Sequence, residues 1–325
     1  MAKYGSPDVP FFLVAGRSLL AVVTDFVEDA EAVTEETTPL GARWPTNAPV
    51  GEIKATLSLN GFYDDSVGSI DEALAANEAA SQVVAYGVEG NTAGKQFVGL
   101  AGAYGSKYSR AVSRGALHKV AVTCTVSGNK DEGVILHPLG AETAAGDTHL
   151  TSVDRSTETK TTKIPITSSS VAAATVITTT VPHGLTDQDV VVIAGHAGST
   201  PAISGPYTAT VTGLSTFTIP VNVSVGGTGG TVVRAMSANG GYAYLMVPAL
   251  TLGGYTNLAV LVKHSLDNTT FITLGTFTVV TTAPAAQRLV VAAATPVYRY
   301  LDCAWAWTGS GSGMSATFMV GFARG

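Results

Sequence analysis

The chain has 325 residues, enough for about two or three domains, and only 13% of them are charged, roughly half the usual share. A net charge of −6 excludes the global basic footprint of a tight duplex binder. The two cysteines, Cys124 and Cys303, make neither metal spacing nor a disulfide framework and read as buried thiols of a reducing compartment. The opening MAKYGSPDVP lacks the build of a signal peptide, and no apolar run approaches the roughly 20 residues of a membrane span. Folding in a cytoplasm, without membrane insertion, is the expectation.

Taken in chain order, Phe11 to Val23 is apolar and broken at Gly16–Arg17–Ser18, which predicts two short strands around a turn. An acidic stretch follows: Asp25, Glu28, Asp29, Glu31, Glu35 and Glu36, with no Lys or Arg among them. Thr34 to Pro49 reads as a long irregular or hairpin loop, because Pro39, Pro45, Pro49 and Gly41 interrupt any helix. Glu52 to Phe62 alternates, with Ile53, Ala55, Leu57, Leu59 and Gly61 on one face and Lys54, Thr56, Ser58 and Asn60 on the other, the pattern of a half-buried strand. Ser69 and Glu72 form a capping box that opens one short helix, Ile70 to about Ala80. Strands are predicted at Gln82–Val88, Phe97–Tyr104, Tyr108–Val112 and His118–Val126, then a small-residue linker at Gly140–Gly146.

Beyond the linker the composition changes. Thr161 to Val233 is rich in Thr, Val and Gly, and from Ile164 onward its only charges are Asp187 and Asp189. Its expected strands are Ala174–Thr180, Val190–Ile193, Gly205–Thr212, Ser215–Pro220 and Gly230–Arg234. From Tyr242 the pattern is that of an antiparallel sandwich: Leu258, Val260 and Val262 alternate, as do Leu301, Cys303, Trp305 and Trp307, and Phe318, Val320 and Phe322 close the chain. The aromatic row reads as core, with an exposed sugar-stacking platform as the alternative.

Signatures of chemistry are sparse. The six histidines lack metal-ligand spacing, and neither a G-x-S-x-G elbow nor a P-loop appears. Gly226 to Gly230 is glycine-rich, but no helix follows to hold a phosphate, so a hairpin turn is expected. Asp64 with Asp65 and Asp187 with Asp189 are paired in sequence. The first pair would point to opposite faces of a strand, and the second reads as a turn signal, so a two-carboxylate glycosidase is disfavoured. No enzyme activity, cofactor or metal is expected. For the acidic stretch the plain reading is a solvated loop face. The alternative is a conduit wall in which Asp25, Glu28, Asp29 and Glu31 repel phosphates that must slide past.

Residues 9 to 140 resemble the tail tube subunits of long-tailed phages. The motifs that carry the likeness are, in order, Glu31-Ala-Val-Thr-Glu-Glu-Thr-Thr-Pro-Leu-Gly41, the strand ending Asn60-Gly-Phe-Tyr-Asp-Asp65, the helix Ile70–Ala79, Val88-Glu-Gly-Asn, Lys95–Gly102 and Lys119–Ser127. The resemblance implies an all-β sandwich or small barrel with one helix. It implies six-membered rings whose sheets join into one barrel around a lumen, in a flexible, non-contractile tail. The long loop would reach the neighbouring ring through Val33, Thr34, Glu35, Glu36, Thr37, Thr38, Leu40, Arg43 and Trp44. Implied partners are further copies of the chain, tape measure protein, terminator and tip proteins, and phage DNA passing without specific binding. Ala243–Arg324 resembles the outer β-sandwich of some such subunits, where Tyr298, Trp305 and Trp307 would be the contacts to host surface glycans. The first strand of that sandwich is expected near Thr148–Asp154. The middle segment is similar to a small β-barrel repeated in virion proteins, and to the first-catalytic-cysteine half-domain of ubiquitin-activating enzymes, although it contains no cysteine. The expected division is a tube domain at 1–142, an outer sandwich at 143–160 with 235–325, and an inserted barrel at 161–234. A carbohydrate-binding adhesin is the competing reading.

Overall fold

The computed structural model describes residues 9–36, 47–63, 81–128, 130–144, 152–154, 163–185, 187, 189–234, 236–237, 240–265 and 268–324. Among the described residues every regular element is a strand. The expected helix Ile70–Ala80, and Asp64 with Asp65, lie outside them.

The first region supplies β1 (Phe12–Val14), β2 (Arg17–Ser18), β3 (Val23–Glu36), β4 (Asn47–Phe62), β5 (Gln82–Gly87), β6 (Gln96–Ala111), β7 (Lys119–Val126) and β8 (Lys130–Glu142). β3, β4, β7 and the C-terminal half of β6 pair antiparallel in that order. The expected alternation holds in β4 and β7. Ala55, Leu57, Leu59, Val120, Val122, Cys124 and Val126 are buried, and their chain neighbours turn outward. The buried face packs on Phe12, Val14, Val84, Tyr86 and Leu100 of the opposing strands.

Two expectations are corrected here. The acidic stretch is a strand rather than a loop: β3 runs on to Glu36, and Thr34, Glu35 and Glu36 pair with Pro49, Ala48 and Asn47. Pro49 fits because β4 meets β7 only from Ala55 onward, so at Pro49 its second edge is open and no ladder donor is needed. The β3–β4 pair therefore projects beyond the sheet as a two-stranded ribbon of roughly 25 Å, at about 3.3 Å per residue. The second correction concerns β6. It is one strand, not two, with a register shift between Gly105 and Lys107 where two strands were expected to separate.

No strand is predicted from sequence over Lys130–Glu142, yet β8 lies there. It pairs with β6 on one side and β24 (Ser315–Arg324) on the other. Val134 and Leu136 face one core while Ile135 faces another, so both faces are buried and no alternation marks the strand. Through β8 the sheet passes without a break into the C-terminal part. There β24 is followed by β18 (Gly241–Thr251) and β21 (Ala285–Val291). The path β2-β1-β5-β6-β8-β24-β18-β21 curls nearly closed around Phe11, Leu13, Phe97, Ile135, Tyr244, Met246 and Met319. At the seam Gly16 (φ +82°) approaches β21 so closely that a Cβ would lie 2.3 Å from the Ala285 carbonyl oxygen.

A second layer covers the outer face of β8, β24 and β18. It is formed by β20 (Ile272–Thr276), β19 (Tyr255–Ser265), β23 (Tyr300–Gly309) and β9 (Val153–Asp154) in that order. Leu245, Val260, Cys303, Trp305 and Phe318 fill the core between the layers. β17 (Met236–Ser237) pairs with β22 (Val297–Tyr298) at its margin.

Residues 164–234 form a sheet of their own from β10 (Ile164–Ser169), β11 (Ala172–Thr179), β12 (Val190–Ala194), β13 (Gly205–Thr208), β14 (Thr210–Gly213), β15 (Thr216–Val223) and β16 (Thr231–Arg234). The order is β13-β12-β16-β10-β11-β15-β14, and the two end strands follow one another in the chain across buried Ala209, which curls the sheet around Ile177, Val191, Ile193, Phe217 and Ile219.

Candidate functional site

The four-stranded sheet β3-β4-β7-β6 has one face in the core and one in solvent. Cross-strand partners share a face, so the register sorts the acids. Asp25, Val27, Asp29 and Glu31 lie opposite Asn60, Ser58, Thr56 and Lys54 on the outer face. Thr125, Thr123 and Ala121 continue it on β7, and Tyr104, Lys107 and Ser109 on β6. Glu28 points the other way. Its carboxylate accepts from the Tyr86 hydroxyl and bonds the Lys130 ammonium at 2.7 Å. Burial, then the neighbouring Glu28, raises the Tyr86 phenol well above its ordinary value and keeps it a donor. The sequence groups Glu28 with Asp25, Asp29 and Glu31; the structure separates it, as strand periodicity requires.

The outer face is dominated by hydroxyls and short side chains. Asn60 donates to Asp25 at 2.7 Å, Thr24 to the Asn60 carbonyl at 3.1 Å, and Ser106 to the Thr123 carbonyl at 2.9 Å. Its Ser and Thr groups thus spend donors within the sheet. The face is concave at the end where Thr24, Asp25, Asn60, Phe62, Ser109 and Lys119 enclose about 410 Å³. Its acids Asp25, Asp29 and Glu31 lie on β3, with Lys54 opposite Glu31 on β4, Lys119 on β7 in the same cavity as Asp25, and Lys107 on β6. β3 and residues 104–111 of β6 each pair with one strand only among the described residues. Of the residues expected to reach a neighbouring ring, Val33, Thr34, Glu35 and Glu36 lie in the projecting ribbon. Thr37, Thr38, Leu40, Arg43 and Trp44 lie outside the described residues.

Of the aromatic row, Trp305 lies in the core, whereas Trp307 and Tyr298 are half-buried. Trp305 is fully buried, with His137 at 5.1 Å and Phe318 at 5.6 Å between ring centroids, so it cannot stack on a ligand. Trp307 is half-buried and donates Nε1–H to the Ala144 carbonyl at 2.9 Å. Tyr298 stacks on His264 at 4.2 Å, and its backbone N–H donates to His264 Nδ1 at 3.1 Å. Burial holds His264 down at about 4, so its ring is neutral and can accept that bond. Cys124 and Cys303 are both free and buried.

One constellation escapes sequence reasoning because it is assembled from turns. Ser169 Oγ lies 2.9 Å from His196 Nε2, and His196 Nδ1 lies 2.7 Å from the Gly229 carbonyl, which fixes the proton on Nδ1. This has the outline of a nucleophile and base, but Ser169 is buried and its Oγ also accepts from Gly227 N at 2.8 Å. The arrangement clasps the Gly226–Gly230 turn. Asp187 accepts from Val211 N at 2.6 Å, as a turn residue does. Among the described residues no group of three His, Cys, Asp or Glu side chains is placed to hold a metal ion.

No family model matches the sequence, and no curated protein matches it. Solved structures do align. A chain in "Virion of native gene transfer agent (GTA) particle" aligns at 13% identity and a TM-score of 0.29, over 40% of this chain and 97% of that one. A chain in the tail of an empty GTA particle, refined with C6 symmetry, aligns at 12% identity and a TM-score of 0.31, over 39% and 97%. The SPP1 Dit protein, described as a paradigm of hub adsorption apparatus in phages infecting Gram-positive hosts, aligns at 9% identity and a TM-score of 0.26, over 97% and 98%. Likeness at this level does not carry a shared function.

Proposed function

We propose that this chain is a structural virion protein, a subunit of a phage-type tail tube, whose copies form stacked rings around a channel for DNA. One observation carries the reading: a four-stranded sheet with one face in the core and a concave polar face in solvent, whose two end strands pair on one side only among the described residues. A monomer has no use for two such margins, which invite pairing with other chains. Copies joined margin to margin satisfy both, and six copies close a ring. The polar faces then line the channel, and hydroxyls already bonded within the sheet offer DNA little to hold. The ribbon formed by β3 and β4 reaches toward the next ring. The tube domain (1–142), the outer sandwich (143–160 with 235–325) and the inserted barrel (161–234) belong to this reading, with β8 shared by the first two. Tape measure, terminator and tip proteins are the further partners it implies.

Negative-stain electron microscopy of the purified chain at rising concentration, with mass measurement alongside, tests it. Hollow stacked rings with radial protrusions are expected. A persistent monomer or trimer, even with tail-tip proteins added, refutes it.

A further inference from the structure

The cavity on the outer face holds two opposite charges that do not meet. Asp25 stands on β3, Lys119 on β7, and Phe62 on β4 between them. Asp25 lies opposite Asn60 and Lys119 opposite Phe62, so the two charges are carried by the strands that flank β4. Two strand spacings put those backbones about 10 Å apart. Among the described residues no ion pair joins Asp25 to Lys119, and the Lys119 ammonium has no partner.

The polar groups of the cavity are sorted. Asp25 accepts from the Asn60 amide at 2.7 Å, a neutral donor that orients the carboxylate and leaves its charge unmatched. The Thr24 hydroxyl spends its proton on the Asn60 carbonyl at 3.1 Å, and the Ser109 hydroxyl on the Ala121 carbonyl at 3.2 Å. Their oxygens remain as acceptors. The β3 side is therefore an acceptor surface that suits a cationic donor, and Lys119 is a donor that suits an anion. The floor is low, because Ala111 and Ala121 present only methyl groups. Phe62, 38% exposed, supplies an apolar wall. A volume of about 410 Å³ falls within the range of about 300–1,000 Å³ typical of small-molecule sites.

We propose that this cavity binds a short zwitterionic peptide, with its free ammonium on Asp25, its free carboxylate on Lys119 and its middle against Phe62. At about 3.3–3.6 Å per extended residue, two or three residues span the two charges. The low floor lets the peptide backbone lie close to the sheet. Charge complementarity selects this class. A neutral polyol would leave both charges unmatched, and a phosphate that reached Lys119 would meet the Asp25 carboxylate in the same cavity. The site lies within a single chain and stands apart from the tube reading, in which it would open on the channel.

The experiment is an NMR titration of the full chain with the tripeptide Gly-Leu-Gly, free at both ends, and with the same peptide acetylated and amidated. The free peptide should saturate one site per chain, and capping both ends should weaken binding about tenfold, as loss of two partly exposed ion pairs implies. Asp25→Asn and Lys119→Gln should each weaken the free peptide about threefold and leave the capped one unchanged. Thermal unfolding confirms that each variant is folded. Asp25→Lys combined with Lys119→Asp should restore binding with the peptide reversed, a rescue that a purely structural role would not give. Equal affinity for the free and capped peptides overturns the inference, as does a free peptide that shows no saturation at about 50 mM. Methyl glucoside binding as tightly as the peptide would assign the cavity to polyols and overturn it too. Should a variant fail to fold, the two peptides on the unaltered chain decide. Failure here leaves the tube reading standing, and a chain that forms no rings leaves this site standing.

Discussion

Arg288→Met tests whether the N-terminal sheet and the C-terminal two-layer region are one body. Arg288 Nε and Nη2 donate to Asp131 Oδ2 at 3.0 and 2.9 Å, and the Tyr244 hydroxyl donates to the same carboxylate. The guanidinium also lies 3.9 Å from the centroid of the Tyr242 ring. Asp131 is on β8, Tyr244 on β18 and Arg288 on β21, so the cluster spans the junction of the two regions. The two charged side chains are 19% and 5% exposed. Removing the cation leaves Asp131 buried without its counter-charge, at a cost of about 3–5 kcal/mol. For a body of this size each kcal/mol lowers Tm by about 2–4 °C, so a fall of about 10 °C is expected. Calorimetry is the assay. The large transition should move as one unit, while the transition of the 164–234 barrel stays in place. Adding Asp131→Asn to Arg288→Met should recover part of the loss. A shift below about 2 °C, or separate transitions for the N-terminal sheet and the C-terminal two-layer region, would refute the reasoning.

Two further outcomes are expected. Trp305→Ala empties a fully buried site and should cost about 3–5 kcal/mol, read as a lower urea midpoint; a loss below about 1 kcal/mol would contradict the core assignment. His264 is held at about 4 in the folded chain against an ordinary 6.5, so between these values the unfolded state binds more protons. Stability should therefore be full above pH 6.5, decline as pH falls toward 4, and level off below. Burial lowers His137 too, despite nearby Glu142, and adds in the same direction. A His264→Asn chain should show a shallower decline, and an unchanged pH profile would remove His264 from the account.

What was legible in the sequence was whatever faces water on one side. β4 and β7 are half-buried, so alternation revealed them and even their inward residues. β8 has a core on each face, and Val134, Ile135 and Leu136 form a run with no period to read. The acids were visible as composition, but their loop-like neighbours Pro39, Gly41 and Pro45 masked the strand. Once β3 is recognised as a strand, the odd–even rule separates Glu28 from Asp25, Asp29 and Glu31 at once. Trp305 and Trp307 were correctly assigned one row, yet no local signal told which of them ends in the core and which at its rim. The Ser169–His196 clasp joins residues from separate turns, and spacing cannot announce it.

The barrel at 164–234 is attached in a way that makes it exchangeable. The chain leaves the C-terminal two-layer region after Asp154, which lies opposite Tyr300, and returns at Met236, which lies opposite Tyr298. Arg299, between those two anchors, grips Asp154 at 2.7 and 2.8 Å. Inside the barrel the first and last strands are also neighbours, with Ile164 beside Val232. Departure and return thus share one short perch on the host, and joining them directly would close only a small loop, at little entropic cost. The molecule is built as a socket with an interchangeable plug.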